Sequence, residues 1–126
     1  VDCFDNDLNK LDLDVNISKV TNLIVTVIFD FFVNSLVSQK LILGYTINPP
    51  LNSKCIHKLG STIEKTYERN IDINNVFNKA GVCRVIAQII LSIFSLNTKE
   101  SGALNDVGKI EAIRAASAYL ESWIKK

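Results

Sequence analysis

The sequence is poor in the residues that most often carry chemistry. Histidine occurs once, at His57, and cysteine occurs three times. Cys55 lies two positions from His57, about 200° around a helix, so their side chains diverge and cannot act there as a thiolate and its base. These cysteine and histidine residues are too scattered for a metal site, which needs three or four convergent ligands. A glycine-rich phosphate loop is also missing. We therefore predict no enzymatic activity, no cofactor and no metal site.

Net charge is nearly absent as well. The 14 basic residues stand against 13 acidic ones, for a net charge of +1, and 48% of the residues are hydrophobic. Such a balance disfavours intrinsic disorder and a nucleic-acid interface built on many lysines and arginines. A length of 126 residues predicts a single domain, residues 1–126. Its first 17 residues form an acidic leader, predicted as a short or frayed helix.

A long uninterrupted apolar run is also missing. The longest, residues 23–37, contains Thr26, Asp30, Asn34 and Ser35. It falls short of the roughly 20 apolar residues that a bilayer requires. We predict no membrane span and expect a core helix there.

Methionine is absent, even at position 1. A removed secretory signal would account for this absence, so we expect a processed, secreted chain. Asn16-Ile17-Ser18 is a glycosylation sequon and makes Asn16 a candidate glycosylation site. An odd number of cysteines leaves one thiol for a partner chain in an oxidising compartment. Cys3 and Cys55 could pair within the chain, leaving Cys83 for a partner; three reduced, buried thiols are the alternative.

Helical periodicity is what the sequence has in abundance. In the central stretch, residues 82–96, polar side chains recur at Arg84, Gln88, Ser92 and Ser95 and leave roughly three quarters of a helix surface apolar. We predict an all-α bundle of about five helices around this largely buried central helix. The other helices are predicted at residues 18–41, from residue 52 or 53 onward, at residues 73–79 with Gly81 as its end, and from residue 105 or 106 onward.

The helix predicted at residues 18–41 is also apolar around most of its circumference. Together with the central helix it offers more apolar surface than the other three predicted helices can cover. We therefore expect part of the central helix to face a second copy of the chain. The interface candidates are Val82, Ile86, Ile89, Ile90, Ile93 and Phe94. Cys83 is placed in the first turn, where the helix dipole would stabilise a thiolate and favour disulfide exchange. Cys83 is therefore the candidate for an interchain disulfide in a homodimer.

The central helix carries a cysteine followed by apolar residues, a glutamine, a leucine and a serine: Cys83, Val85, Ile86, Gln88, Leu91, Ile93 and Ser95. This order resembles the most recognisable helix of the C-terminal domain of spider-silk proteins (spidroins). The preceding helix with Leu59-Gly60-Ser61 and the closing alanine-rich helix follow the same order. The resemblance implies a secreted five-helix homodimer that controls silk solubility and assembly, with Cys83 as the interchain disulfide.

A second resemblance rests on the spacing of Ile56, Gly60, Ile63 and Tyr67 and on Gly81-Val82-Cys83-Arg84. These residues resemble the death motif and the Asn-Trp-Gly-Arg motif of the B-cell lymphoma family of apoptosis regulators. This resemblance implies a helical bundle that binds an amphipathic death-motif helix in a groove. Only 17 positions separate Tyr67 from Arg84, too few for the two helices that build that groove. A third possibility is a lipid carrier, in which the surplus apolar side chains line a cavity.

Overall fold

The computed structural model describes residues 17–35 and 53–124, which form four helices and no strand. We number them α1 (Ile17–Val33), α2 (Ser53–Asn70), α3 (Lys79–Ser101) and α4 (Asp106–Ile124). The all-α class is confirmed, whereas the described residues hold four helices and not five.

The missing helix is the one predicted at residues 73–79. Residues 71–78 form turns, with one local hydrogen bond from the Val76 amide to the Ile73 carbonyl at 3.1 Å. Asn78 adopts a left-handed conformation with φ 53°, which asparagine tolerates better than most residues. Its side chain accepts a hydrogen bond from the Gly81 amide at 3.3 Å, so α3 starts here. Gly81 therefore lies inside the first turn of α3, where it was predicted to end a helix.

The helix predicted at residues 18–41 is seen as α1 up to Val33. The Ser35 amide then bonds to the Phe32 carbonyl at 3.1 Å in a turn. The rest of that prediction, residues 36–41, and the leader up to residue 16 lie outside the described residues.

The central helix is buried as predicted. α3 packs against α2 on one side and α4 on the other, and α1 packs mainly on α4. Ile86, Ile90 and Phe94 of α3 have no solvent exposure. At roughly 1.5–3 kcal/mol for each large apolar side chain removed from water, α3 contributes most to the hydrophobic stabilisation of the fold.

α3 is also long and apolar enough to cross a bilayer, with a mean hydropathy of 1.6 over its most apolar window. Half of that window is buried inside the bundle, as in the core helix of many proteins without a membrane span. The predicted absence of a membrane span stays a prediction.

The turn between α3 and α4 defines one end of the bundle, which we call the closed end. Gly102, with φ 80°, ends α3 in the left-handed conformation that glycine adopts readily. The buried Asn97 side chain accepts a hydrogen bond from the Asn105 amide at 2.8 Å and donates one to Asn105 Oδ1 at 3.0 Å. A Cβ on Gly108 would lie 2.6 Å from Asn97 Oδ1, so α4 approaches α3 closely only because residue 108 is glycine.

The opposite end, where α1 and α3 begin and α2 and α4 finish, is called the cleft end. A buried hydrogen bond of 2.5 Å joins the hydroxyls of Thr21 on α1 and Tyr67 on α2. Glu68 then pairs with Lys79 at the start of α3 at 3.7 Å. These contacts place the beginning of α1 beside the beginning of α3.

Candidate binding cleft

An open cleft of about 610 Å³ starts at the cleft end and extends along the first half of α3, between the first turns of α2 and the last part of α4. Its lining is mainly apolar and aromatic, with a few polar groups. The residues that line it are Ile56, His57, Phe77, Asn78, Gly81, Val82, Arg84, Val85, Gln88, Tyr119 and Trp123. A volume of this size is typical of sites that bury several ligand side chains or one small molecule.

Phe77 is the most unusual residue in this lining. It belongs to the turn that precedes α3, and 76% of its side chain is exposed to solvent. Asn78 fixes this turn through its left-handed backbone and its bond to Gly81, so Phe77 is held at the rim of the cleft. Val85, on the first half of α3, is 42% exposed in the same cleft. Water-exposed apolar surface of this kind favours association with another apolar group.

Arg84 supplies a positive charge to the cleft. A Cβ on Gly60 would lie 2.7 Å from Arg84 Cγ and 3.2 Å from its Cα, so glycine at position 60 lets α2 cross α3 in direct contact. Within residues 17–35 and 53–124, no carboxylate forms an ion pair with Arg84. Its guanidinium group is near enough to Glu64 to lower the pKa of that carboxyl, but it forms no ion pair with it.

Other charges on α2 divide the cleft end into a basic and an acidic part. His57 lines the cleft, and Lys54 and Lys58 are exposed within one turn of it. Farther along α2, burial raises the pKa of Glu64, and the neighbouring Glu68 raises it further, while Lys79 and Arg84 lower it. Neither glutamate lines the cleft. The cleft itself is thus apolar with a basic edge.

Cys83 does not face the cleft or the solvent. It is 1% exposed, and burial together with the nearby Glu64 and Glu68 raises the pKa of its thiol to about 12, although Lys79 lowers it. Burial therefore acts against the predicted dipole-stabilised thiolate, and the interchain disulfide at Cys83 stays a prediction. Cys83 is a free thiol. α3 begins at Lys79, four residues before Cys83, whereas the sequence predicted a start at Val82, one residue before it. An interchain disulfide would require the packing around it to open.

The predicted interface residues on α3 differ in their exposure. Val82, Ile86, Ile90 and Phe94 are buried in the core of their own chain, and Ile89 and Ile93 are half-buried. Ile86, Ile90 and Phe94 are covered by the neighbouring helices, whereas Val82 also lines the cleft, and a homodimer interface on α3 stays a prediction. The sequence does indicate which side of α3 is exposed. The polar residues Arg84, Gln88 and Ser92 lie on that side, and the apolar residues that flank them include the exposed Val85 and Leu96.

A second exposed apolar surface lies between α3 and α4 toward the closed end, which we call the outer patch. It consists of Ile93, Leu96 and Val107. Leu96 is 56% exposed and Val107 63%. Ile110, which is 55% exposed, lies on α4 outside this patch. A fissure of about 210 Å³ runs between Leu96 and Val107, with Glu100 and Glu111 at its edge.

The remaining candidates are only partly covered by the structure. Cys3 and Asn16 lie outside the described residues, so the Cys3–Cys55 pairing and the glycosylation at Asn16 stay predictions. Cys55 is exposed on the first turn of α2. In residues 17–35 and 53–124, no group of three or more histidine, cysteine, aspartate or glutamate side chains could hold a metal ion.

Comparisons with protein-family models, with curated proteins and with solved structures find no match to this chain. Functional interpretation therefore rests on the cleft, the outer patch and the sequence.

Proposed function

We propose that the chain is a non-enzymatic protein-interaction domain that binds an amphipathic helix of another polypeptide in the cleft. The observation that carries this proposal is the exposed Phe77 ring at the rim of an apolar cleft with a basic edge. A helix in a groove is held by apolar side chains at positions i, i+3 or i+4, and i+7. The cleft offers apolar contacts from three helices and one turn to such anchors.

Partner specificity would come from the charged groups. Arg84 has no ion-pair partner in the described chain, and a carboxylate on the incoming helix would supply one. A charge-assisted hydrogen bond beside apolar contacts is stronger than one in open water, because the local dielectric constant is lower. The preferred ligand is therefore an amphipathic helix with an acidic residue beside its apolar face.

The resemblance to apoptosis regulators supports the same class of ligand. Gly60 and Arg84 belong to the two motifs that carry the resemblance, and they touch at the crossing of α2 and α3. The two helices that build that family's groove have no counterpart in residues 71–78. In this chain, Tyr119 and Trp123 of α4 take part in the lining instead.

The proposal can be tested with Trp123, which lines the cleft and is the only tryptophan in the sequence. We expect a synthetic death-motif peptide to shift the fluorescence of Trp123 in a saturable manner. Val85→Glu should weaken binding at least 10-fold, because it places a charge in the cleft. Val107→Glu, the same change on the outer patch, should leave the affinity unchanged. Absence of a saturable shift, or equal loss in both variants, would contradict helix binding at the cleft.

A homodimerisation and assembly domain, as in the silk-protein resemblance, is the second candidate function. The outer patch favours it, since Leu96 and Val107 together expose apolar surface that a second copy could cover. We expect a dimer that uses this face to dissociate in the Val107→Glu variant and to persist in Val85→Glu. Light scattering after size-exclusion chromatography would measure this mass. A monomeric wild-type chain would exclude this candidate, and a monomer that co-purifies with fatty acid would favour a lipid carrier.

A further inference from the structure

We propose that the acidic leader of this chain, residues 4–15, is an internal ligand of the cleft and competes there with the partner helix. The proposal rests on the proposed function, because it assigns a regulator to the same cleft. The ligand is the leader of the same chain. The test below distinguishes this contact from binding by the leader of a second copy.

The apolar residues of the leader recur at helical spacing. Phe4, Leu8, Leu11 and Val15 follow one another at intervals of four, three and four, so they share one face of a helix. This is the anchor pattern of a helix that lies in a groove. Leu13 is the one bulky apolar residue of this segment that falls on the opposite face.

The leader also carries negative charge beside its apolar face. Asp5 and Asp12 flank the apolar face on one side, and Asp7 and Asp14 flank it on the other. A helix that inserts this face would therefore bring aspartates to both edges of a groove. The cleft has Arg84 in its lining and exposed lysines within one turn of its α2 residues, and two lysines follow α4 in the sequence. The leader is thus complementary to the cleft in both polarity and sign of charge.

The leader joins α1 at Ile17, and the Thr21–Tyr67 hydrogen bond places this part of α1 beside the last turns of α2. The turn that follows α2 carries Phe77 and Asn78, which line the cleft. Twelve residues in a helix span about 18 Å, and Asn16 is the one residue between this segment and α1. A ligand tethered this closely has an effective concentration in the millimolar range, so even weak intrinsic affinity suffices for occupancy.

The test uses the full chain with charges introduced in the leader. The double variant Leu8→Asp/Leu11→Asp places two carboxylates on the inserted face. The matched control, Asn6→Asp/Leu13→Asp, adds the same charge on the opposite face. We expect acrylamide to quench Trp123 more strongly in the first variant than in wild type, and equally in the control and wild type.

Affinity for the death-motif peptide gives the second readout. A leader that occupies the cleft nine-tenths of the time lowers the apparent affinity about 10-fold. We therefore expect Leu8→Asp/Leu11→Asp to bind the peptide about 10-fold more tightly than wild type, and the control to bind within twofold of wild type. Identical quenching and affinity in all three proteins would overturn the proposal.

The two proposals fail in different ways. If the peptide binds no variant but quenching of Trp123 still rises in Leu8→Asp/Leu11→Asp, helix binding in trans is wrong and the internal contact holds. If the peptide binds all three proteins equally, the cleft function holds and the internal contact is wrong. A wild-type dimer that becomes monomeric in Leu8→Asp/Leu11→Asp would show exchange of leaders between copies and would overturn the intramolecular contact.

Discussion

The two ends of the bundle use their polar and apolar groups in opposite ways. At the closed end, Asn97 holds the α3–α4 turn with two hydrogen bonds, and Phe94 lies against Phe29 and Phe32 in edge-to-face contacts with centroids 6.0 Å and 6.4 Å apart. At the cleft end, Phe77 and Val85 remain exposed, and Arg84 forms no ion pair within the described residues, although it lowers the pKa of the nearby Glu64. This contrast indicates that one end fixes the helices while the other leaves groups available for a ligand.

The largest expected effect tests the fixed end. Phe94→Ala should lower the free energy of unfolding by about 3–5 kcal/mol, because it removes a fully buried ring that two other rings contact. Chemical denaturation measures this change. Leu96→Ala, two residues away and more than half exposed, should cost less than about 0.5 kcal/mol. Similar losses in both variants would contradict the burial pattern of α3.

The next effect is the pH dependence of stability, which two buried groups at the cleft end, Cys83 and Tyr67, should produce. Burial raises the pKa of Cys83 to about 12 and also raises the pKa of Tyr67. The stabilisation from a protonated Cys83 is fully present below about pH 9, where the unfolded thiol is also protonated, and is lost as pH rises toward 12. The slope is about 1.4 kcal/mol per pH unit for one group.

Cys83→Ala isolates the contribution of this thiol. Between pH 8 and pH 10.5, wild type should lose about 2 kcal/mol more stability than the variant. Tyr67 is present in both proteins, and burial is the largest cause of its raised pKa, so most of its contribution cancels in the difference. Urea denaturation at both pH values gives the comparison. Parallel stability profiles would show that Cys83 is not shielded from solvent.

A smaller effect is expected at the crossing of α2 and α3. Gly60→Ala would push a methyl group against Arg84, including its backbone, and should cost about 1–2 kcal/mol net of the better helix propensity of alanine. It should also weaken binding of the peptide by displacing Arg84. Ser61→Ala, on the exposed side of α2, is the control and should change neither quantity. A neutral Gly60→Ala would show that the crossing is looser than described.

The smallest effect on stability should accompany a large effect on binding. Phe77→Ala should change the free energy of unfolding by less than about 0.5 kcal/mol, since the ring is mostly in water. Peptide affinity should nevertheless fall at least 10-fold, as for an aromatic anchor at an interface. Loss of stability without loss of affinity would reverse the assignment of Phe77.

The sequence predicted the class of fold and the central helix because helical periodicity is a local property. The stripe at Arg84, Gln88 and Ser92 located α3, and Asn105 or Asp106 located the start of α4. The Asn105 side chain does accept a hydrogen bond from the Val107 amide at 3.0 Å. Such signals depend on residues a few positions apart and can be read without the fold.

The candidate site could not be predicted in the same way, because burial depends on which helices meet. Val82 and Val85 are both apolar residues of the first half of α3, yet one is buried and the other exposed. Cys83 was expected to be reactive from its place in a helix, and the packing of α2 decided otherwise. Phe77 fell in a predicted helix, and only the left-handed Asn78 explains its place at the rim.

The short span between Asn97 and Asn105 has a consequence for the order of folding. These residues are eight positions apart, so the loop between them closes at little entropic cost, and α3 and α4 can pair early. α1 must instead be brought to α2 across the segment 36–52, and its Thr21 meets Tyr67 at a separation of 46 positions. We therefore expect the α3–α4 hairpin to be largely formed in the folding transition state, with docking of α1 as a later event.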